Sequence, residues 1–166
     1  MLIMGIDPGI AISGYGLISG NQSDCCVIEY GVIKTPAGLE MPYRLKKIYE
    51  GYTKLMQKYK PDAVAVEELF FNKNAKTIIS VGQARGAAIL AAALSNIEVF
   101  EYTPLQVKQA VVGYGRADKH QVQQMIKIYF NLDKLPRPDD AADALAVALC
   151  HMNSYKLQKI MDGRGF

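Results

Sequence analysis

The order of short apolar runs constrains this chain more than any other feature. Residues 2–6 form a compact apolar run that ends in Asp7-Pro8-Gly9, where Pro and Gly force a turn, so they predict a buried strand with an acid at its exit. Residues 12–19 and 26–35 show partial alternation rich in β-branched and aromatic side chains, separated by the turn-forming Gly20-Asn21-Gln22-Ser23-Asp24. Downstream the period changes. Over residues 44–59 the apolar Leu45, Ile48, Tyr49, Tyr52, Leu55, Met56 and Tyr59 recur at threes and fours until Pro61 stops them, which predicts an amphipathic helix. Residues 62–66 are again a β-branched run, ending at Glu67 and Glu68, and residues 97–102 predict a fifth strand. Thr103-Pro104 is an N-cap followed by a first-turn proline and opens a helix to Val112; further helices are predicted over 117–130 and 140–152.

Three strands joined by hairpins, then two strand-helix alternations, demand an α/β fold. The expected architecture is a mixed five-stranded sheet, antiparallel at its start and extended by parallel additions through right-handed crossovers, with helices on both faces. The 166 residues suit one domain, a prior of roughly 150 residues each, and residues 154–166 are expected as a flexible tail. Hydrophobic residues at 50% and charged residues at 21% exclude a disordered, collagen-like or disulfide-dense chain. Three cysteines, with Cys25 and Cys26 adjacent, fit no disulfide framework or zinc spacing. The longest uncharged stretch, 8–23, is rich in Gly and Ser, and the N-terminal apolar run is too short for a secretory signal, so the expectation is a cytoplasmic protein with no membrane span. Residues 75–94 are apolar nearly all round, interrupted by Gln83 and Arg85, and predict a helix buried on more than one side.

The acids fall in a pattern. Asp7 ends the first strand, Glu67 the fourth, and Asp140 and Asp143 stand three apart on the last helix, on one side of it. Ligand sites in open α/β sheets form beyond the carboxyl ends of strands, so Asp7 and Glu67 can share a rim that the helix pair also faces. Singly, each acid reads as a turn or cap residue. Jointly they cannot, because two unit charges roughly 4 Å apart repel by about 4 kcal/mol at an effective dielectric of 20. An oxygen-only donor set without His or Cys selects hard ions, Mg²⁺ or Mn²⁺, and suits two-metal phosphoryl chemistry. The formal charge is only +3, yet setting these four acids aside leaves twelve acids against nineteen cations, a basic body able to attract phosphates. The basic stretch 44–60, with six cations and only Glu50 as acid, has the simpler reading of a solvated helix face.

Gly5-Ile6-Asp7-Pro8-Gly9, Val66-Glu67 with the 70–74 loop, Gly82-Gln83-Ala84-Arg85-Gly86, Val107-Lys108-Gln109-Ala110-Val111-Val112-Gly113 and Asp140-Ala141-Ala142-Asp143-Ala144-Leu145-Ala146 occur in that order. In these blocks the chain resembles the RuvC Holliday-junction resolvases, of ribonuclease H-like fold, over nearly its whole length. The resemblance implies a crossover junction endodeoxyribonuclease of recombination and repair. It makes Asp7, Glu67, Asp140 and Asp143 catalytic ligands of two Mg²⁺ ions, with Mn²⁺ an alternative and Asp7 bridging both. Water would attack the phosphorus in line and leave a 5′-phosphate and a 3′-hydroxyl. Lys73, Lys108 and Lys119 would contact DNA; bare sequence alone reads Lys108 and Lys119 as solvated lysines. Phe70 would stack on an unpaired base, where stacking is worth about 1–3 kcal/mol, although Phe71 beside it leaves the choice open. Asp139 either caps the last helix or competes as ligand, and alternation lets only one of Glu67 and Glu68 face the metals. His120 and His151 read as surface residues.

Two symmetric cuts across a four-way junction need a two-fold homodimer, and helix 75–94 is a candidate interface, with burial inside one chain as its rival reading. The resemblance also implies the branch-migration proteins RuvA and RuvB as partners. The alternatives are a related nuclease on RNA or other branched DNA, a non-catalytic junction binder, and half of an actin-like or sugar-kinase ATPase, for which a second phosphate loop is lacking.

Overall fold

The computed structural model describes residues 1–69 and 75–161. Its five strands are β1 (Leu2–Asp7), β2 (Ile12–Gly20), β3 (Cys25–Lys34), β4 (Ala63–Glu67) and β5 (Glu98–Tyr102). They form one sheet in the order β3-β2-β1-β4-β5, antiparallel on the β1, β2, β3 side and parallel from β1 through β4 to β5. The mixed sheet is the expected one. Helices α1 (Met41–Tyr59) and α2 (Ala75–Leu94) cover one face, and α3 (Pro104–Val112), α4 (Lys119–Tyr129) and α5 (Asp139–Met161) the other.

Alternation along the strands sorts the core. Met4 and Ile6 of β1 join Val64 and Val66 of β4 under α1 and α2, whereas Ile3, Ala63 and Ala65 join Val107, Val122 and Leu145 under α3, α4 and α5. Asp7 and Glu67 share the parity of Ile3 and Ala65, so both point to the α5 face. Two helices on that face start as their caps dictate. Thr103 accepts from the Gln106 N–H and opens α3, and Asp118 accepts from the Gln121 N–H and opens α4, each completed by the glutamine reaching back to the cap residue.

Several expectations are corrected. Helix α1 begins at Met41 rather than residue 44, because Pro42 suits a first turn and extends the pattern backwards. Helix α5 runs to Met161, past the expected end at 152, so the segment expected as a tail from 154 begins inside it; residues 162–166 lie outside the described residues. Helix α2 is buried on one side only. Its Ala84, Ala88, Ala91 and Ala92 pack on the sheet, while Ile79, Leu90 and Leu94 are 66%, 52% and 63% exposed. By length and mean hydropathy (1.4) alone, Thr77–Leu94 is long and apolar enough to cross a membrane. Its alanine face is nonetheless committed to the core, and Arg85 in its middle is paired with Glu101. All three cysteines are free thiols.

Candidate active site

The β1–β4 register places Ile6 beside Val66, so the next residues, Asp7 and Glu67, leave the sheet side by side. Asp7 is opposite Gly14 on β2, and Gly5 opposite Gly16. These glycines admit α5. A Cβ on Gly14 would lie 1.9 Å from the Asp140 carbonyl oxygen, one on Gly5 would lie 2.0 Å from that of Ala144, and one on Gly16 would lie 2.8 Å from the Leu145 side chain. Helix α5 answers with fully buried Ala141, Ala144 and Ala148. Main chain therefore packs almost directly on main chain, and the first turns of α5 bring Asp140 and Asp143 down to the ends of β1 and β4.

Asp7, Glu67, Asp140 and Asp143 line one cleft of about 560 Å³, together with Glu68, Lys108 and Lys119. The acids feel one another: burial first, then Asp143, Glu67 and Asp140, push the Asp7 carboxyl up to about 8. Burial likewise raises Asp143, against the opposing pull of Lys119. The Lys119 ammonium lies 2.8 Å from Asp143 Oδ2 and 3.8 Å from Asp139 Oδ2. Burial works against its charge, but the hydrogen bond to Asp143 and the charges of Asp143, Asp139 and Asp7 outweigh that and raise its pKa. Among the described residues no three His, Cys, Asp or Glu side chains already stand at metal-binding spacing.

A second set of contacts braces the floor. Fully buried Tyr52 donates to the Gly14 carbonyl oxygen at 2.9 Å and lies 2.7 Å from Ser13 Oγ, which accepts from the Gly9 N–H at 3.4 Å. Arg44 and Thr35 both donate to the carbonyl oxygen of Ile10, in the turn after Asp7. None of these residues carries a pattern that names its role; a glycine inside a strand signals close backbone approach without saying to what.

The remaining candidates fall as follows. Lys108 lines the cleft from α3, and Lys119 from the first position of α4. Asp139 pairs with Arg137 and Lys119. Glu68 faces the same cleft, but it is Glu67 that has the parity of the α5 side. His120 is exposed, as expected, whereas His151 is fully buried, its Nδ1 2.7 Å from the Tyr102 hydroxyl, because α5 continues past it over the sheet. Phe70, Phe71 and Lys73 lie outside the described residues.

The family model "Crossover junction endodeoxyribonuclease RuvC" matches residues 3–151. The chain belongs to the RuvC family. A crossover junction endodeoxyribonuclease RuvC of Syntrophomonas wolfei is 57% identical over 98% of this chain and 94% of its own length, and one of Alkaliphilus metalliredigens is 59% identical over 96% and 98%. The RuvC of Thermus thermophilus in complex with Holliday junction substrate superposes with a TM-score of 0.90 at 35% identity, over 95% of this chain and 96% of that one. The RuvC likeness thus spans both sheet and cleft, including every strand and helix that delivers one of the four acids.

Proposed function

We propose that this RuvC-family nuclease resolves Holliday junctions by metal-dependent phosphodiester hydrolysis in the cleft that Asp7, Glu67, Asp140 and Asp143 share. The carrying observation is that four acids line one cleft, where burial first, and then Asp143, Glu67 and Asp140, push the Asp7 carboxyl up to about 8. Such a set calls for compensating charge, and its oxygen-only donors fit Mg²⁺, two ions per site, with Mn²⁺ as substitute. When bound, the ions supply Lewis-acid polarisation of the scissile phosphate and neutralise charge developing there. Asp7, at the end of the central strand, holds the middle of the site, with Glu67 on one side and the α5 pair on the other. Lys108 and Lys119 hold phosphates along the cleft wall. Water adds to phosphorus in line, the bond to the 3′ oxygen breaks, and a 5′-phosphate and 3′-hydroxyl remain. By resemblance Phe70 stacks on an unpaired base and Lys73 contacts the backbone.

Junction cleavage by the wild type and Asp7→Asn, with and without Mg²⁺, tests the reading. Wild-type cutting is expected only with Mg²⁺, and Asp7→Asn should bind the junction without cutting it. Metal-independent cutting, or an active Asp7→Asn, would sink the proposal.

The pair of cuts is assigned to a two-fold homodimer joined through α2, whose exposed Ile79, Leu90 and Leu94 form an apolar stripe. Sedimentation should show a dimer at micromolar concentration and a monomer for Leu90→Glu; a wild-type monomer that only nicks would refute the dimer. Cytoplasmic location and partnership with RuvA and RuvB follow from the resemblance, and a pull-down with the purified pair tests the latter.

A further inference from the structure

The Gly82-Gln83-Ala84-Arg85-Gly86 block of α2 has no part in the centre described so far, yet Arg85 reaches its edge. The guanidinium donates through Nε to the main-chain carbonyl oxygen of Glu67 at 3.3 Å and through Nη2 to the Glu101 carboxylate, its ion-pair partner on β5. Its side chain is 17% exposed, against 46% for Glu101. A guanidinium taken this far from water is costly unless its donors are matched, and both matched donors lead to the sheet end that carries Glu67.

The carbonyl that Arg85 meets belongs to the peptide joining Glu67 to Glu68. The N–H of that same peptide, on Glu68, donates to the Tyr102 carbonyl oxygen at 2.8 Å. The peptide is therefore held at both polar ends, from β5 and from α2, just where the β4 ladder stops. With the chain before it held by the strand ladders, fixing this peptide plane sets ψ of Glu67 and with it the direction of its Cα–Cβ bond. Helix α2 also lines the cleft, through Thr77, Ile78 and Val81.

We propose that Arg85 is a positioning residue for the nuclease centre: by locking the Glu67–Glu68 peptide it aims the Glu67 carboxylate into the cleft, and by pairing with Glu101 it ties the α2 wall to the sheet. The proposal rests on Glu67 being a metal ligand. Arginine is required because one planar fork serves two acceptors, which a lysine point charge does not.

The test compares wild type, Arg85→Met, Arg85→Lys and Glu67→Gln. Mn²⁺ binding is read by electron paramagnetic resonance without DNA, junction binding in EDTA, and cleavage against Mg²⁺ concentration. Outer-shell partners of metal ligands typically contribute 10–100-fold, so Arg85→Met is expected to weaken Mn²⁺ binding and raise half-saturating Mg²⁺ by about that factor, with junction affinity in EDTA within about twofold of wild type. Arg85→Lys should fall between the two, and it carries the comparison alone if the methionine variant does not fold. Wild-type Mn²⁺ affinity in Arg85→Met, or in Arg85→Lys where that variant stands alone, overturns the proposal, whatever happens to the rate. If Glu67→Gln also binds Mn²⁺ normally, the ligand assignment itself has failed; if Glu67→Gln loses binding and the Arg85 variants do not, only the role of Arg85 has.

Discussion

Lys119 holds its ammonium 2.8 Å from the Asp143 carboxylate while occupying the first position of α4, the helix end at which the backbone dipole disfavours a cation. The α5 acids outweigh that penalty and engage the charge. In EDTA, Lys108→Met is therefore expected to weaken junction binding and reduce the slope of log affinity against log salt by about 1, as for a lysine on a phosphate. Lys119→Met should change the slope less, because its charge is already matched by Asp143 and Asp139. Anisotropy titrations across a salt series check this, and equal slope losses would contradict it.

Asp7 opposes folding when no metal is present. Its carboxyl is pushed up to about 8, against an ordinary value of 3.8, so the folded state binds the proton more tightly. Stability of the metal-free protein then falls as pH rises from about 4 to about 8. Asp7→Asn removes that loss. At about 2–4 °C per kcal/mol for a chain of this size, the variant should melt several degrees above the metal-free wild type at pH 8. The same proton must leave before a cation can bind, so half-saturating Mg²⁺ should fall with rising pH and level off above about 8. A melting temperature for Asp7→Asn at or below wild type would refute the first expectation, and a flat Mg²⁺ requirement the second.

Gly14→Ala drives a methyl group into the Asp140 carbonyl, 1.9 Å from its ideal position. Overpacking of this kind costs about 1–3 kcal/mol. It also lifts the start of α5, and a displacement of about 1 Å at a reacting centre can cost about a hundredfold in rate. Gly38→Ala, with nothing within 4 Å of the added carbon, is the matched control and should be near neutral. Urea unfolding and junction cleavage measured on both variants decide it.

His151 should produce an acid-side loss of stability. Burial lowers its pKa to about 4 from 6.5, so the unfolded chain takes up the proton first as pH falls. Stability is present above about 6.5 and is lost progressively down to about 4, by about 3 kcal/mol at most. His151→Leu lacks this titration, so the stability gap between wild type and variant should narrow over that window. A gap that stays constant in denaturant titrations would show that the ring does not titrate as described.

The five strands, and the placing of Asp7 and Glu67 at strand ends, were readable because each rests on local pattern: Pro8-Gly9 marks where β1 ends, and parity then says which way Asp7 points. Contacts between distant elements were not readable. Gly14 and Gly16 announce a close approach but not that α5 makes it, and nothing near Lys119 in the chain points to Asp143. His151 is a different case. It continues the spacing of Ala144 and Ala148 and was legible in principle, but a helix end placed at 152 left it on the margin. For α2, an apolar composition all round could not distinguish a helix enclosed by its own chain from one that presents Ile79, Leu90 and Leu94 outward.

The seating of α5 on Gly5, Gly14 and Gly16 has a mechanical consequence. With backbone lying on backbone at Gly5 and Gly14, and only the Leu145 side chain over Gly16, the helix has little cushion on which to slide or roll, so Asp140 and Asp143 inherit the stiffness of the central strand that carries Asp7. These three carboxylates travel as a single keel, and any widening needed to admit branched DNA falls to the surrounding walls.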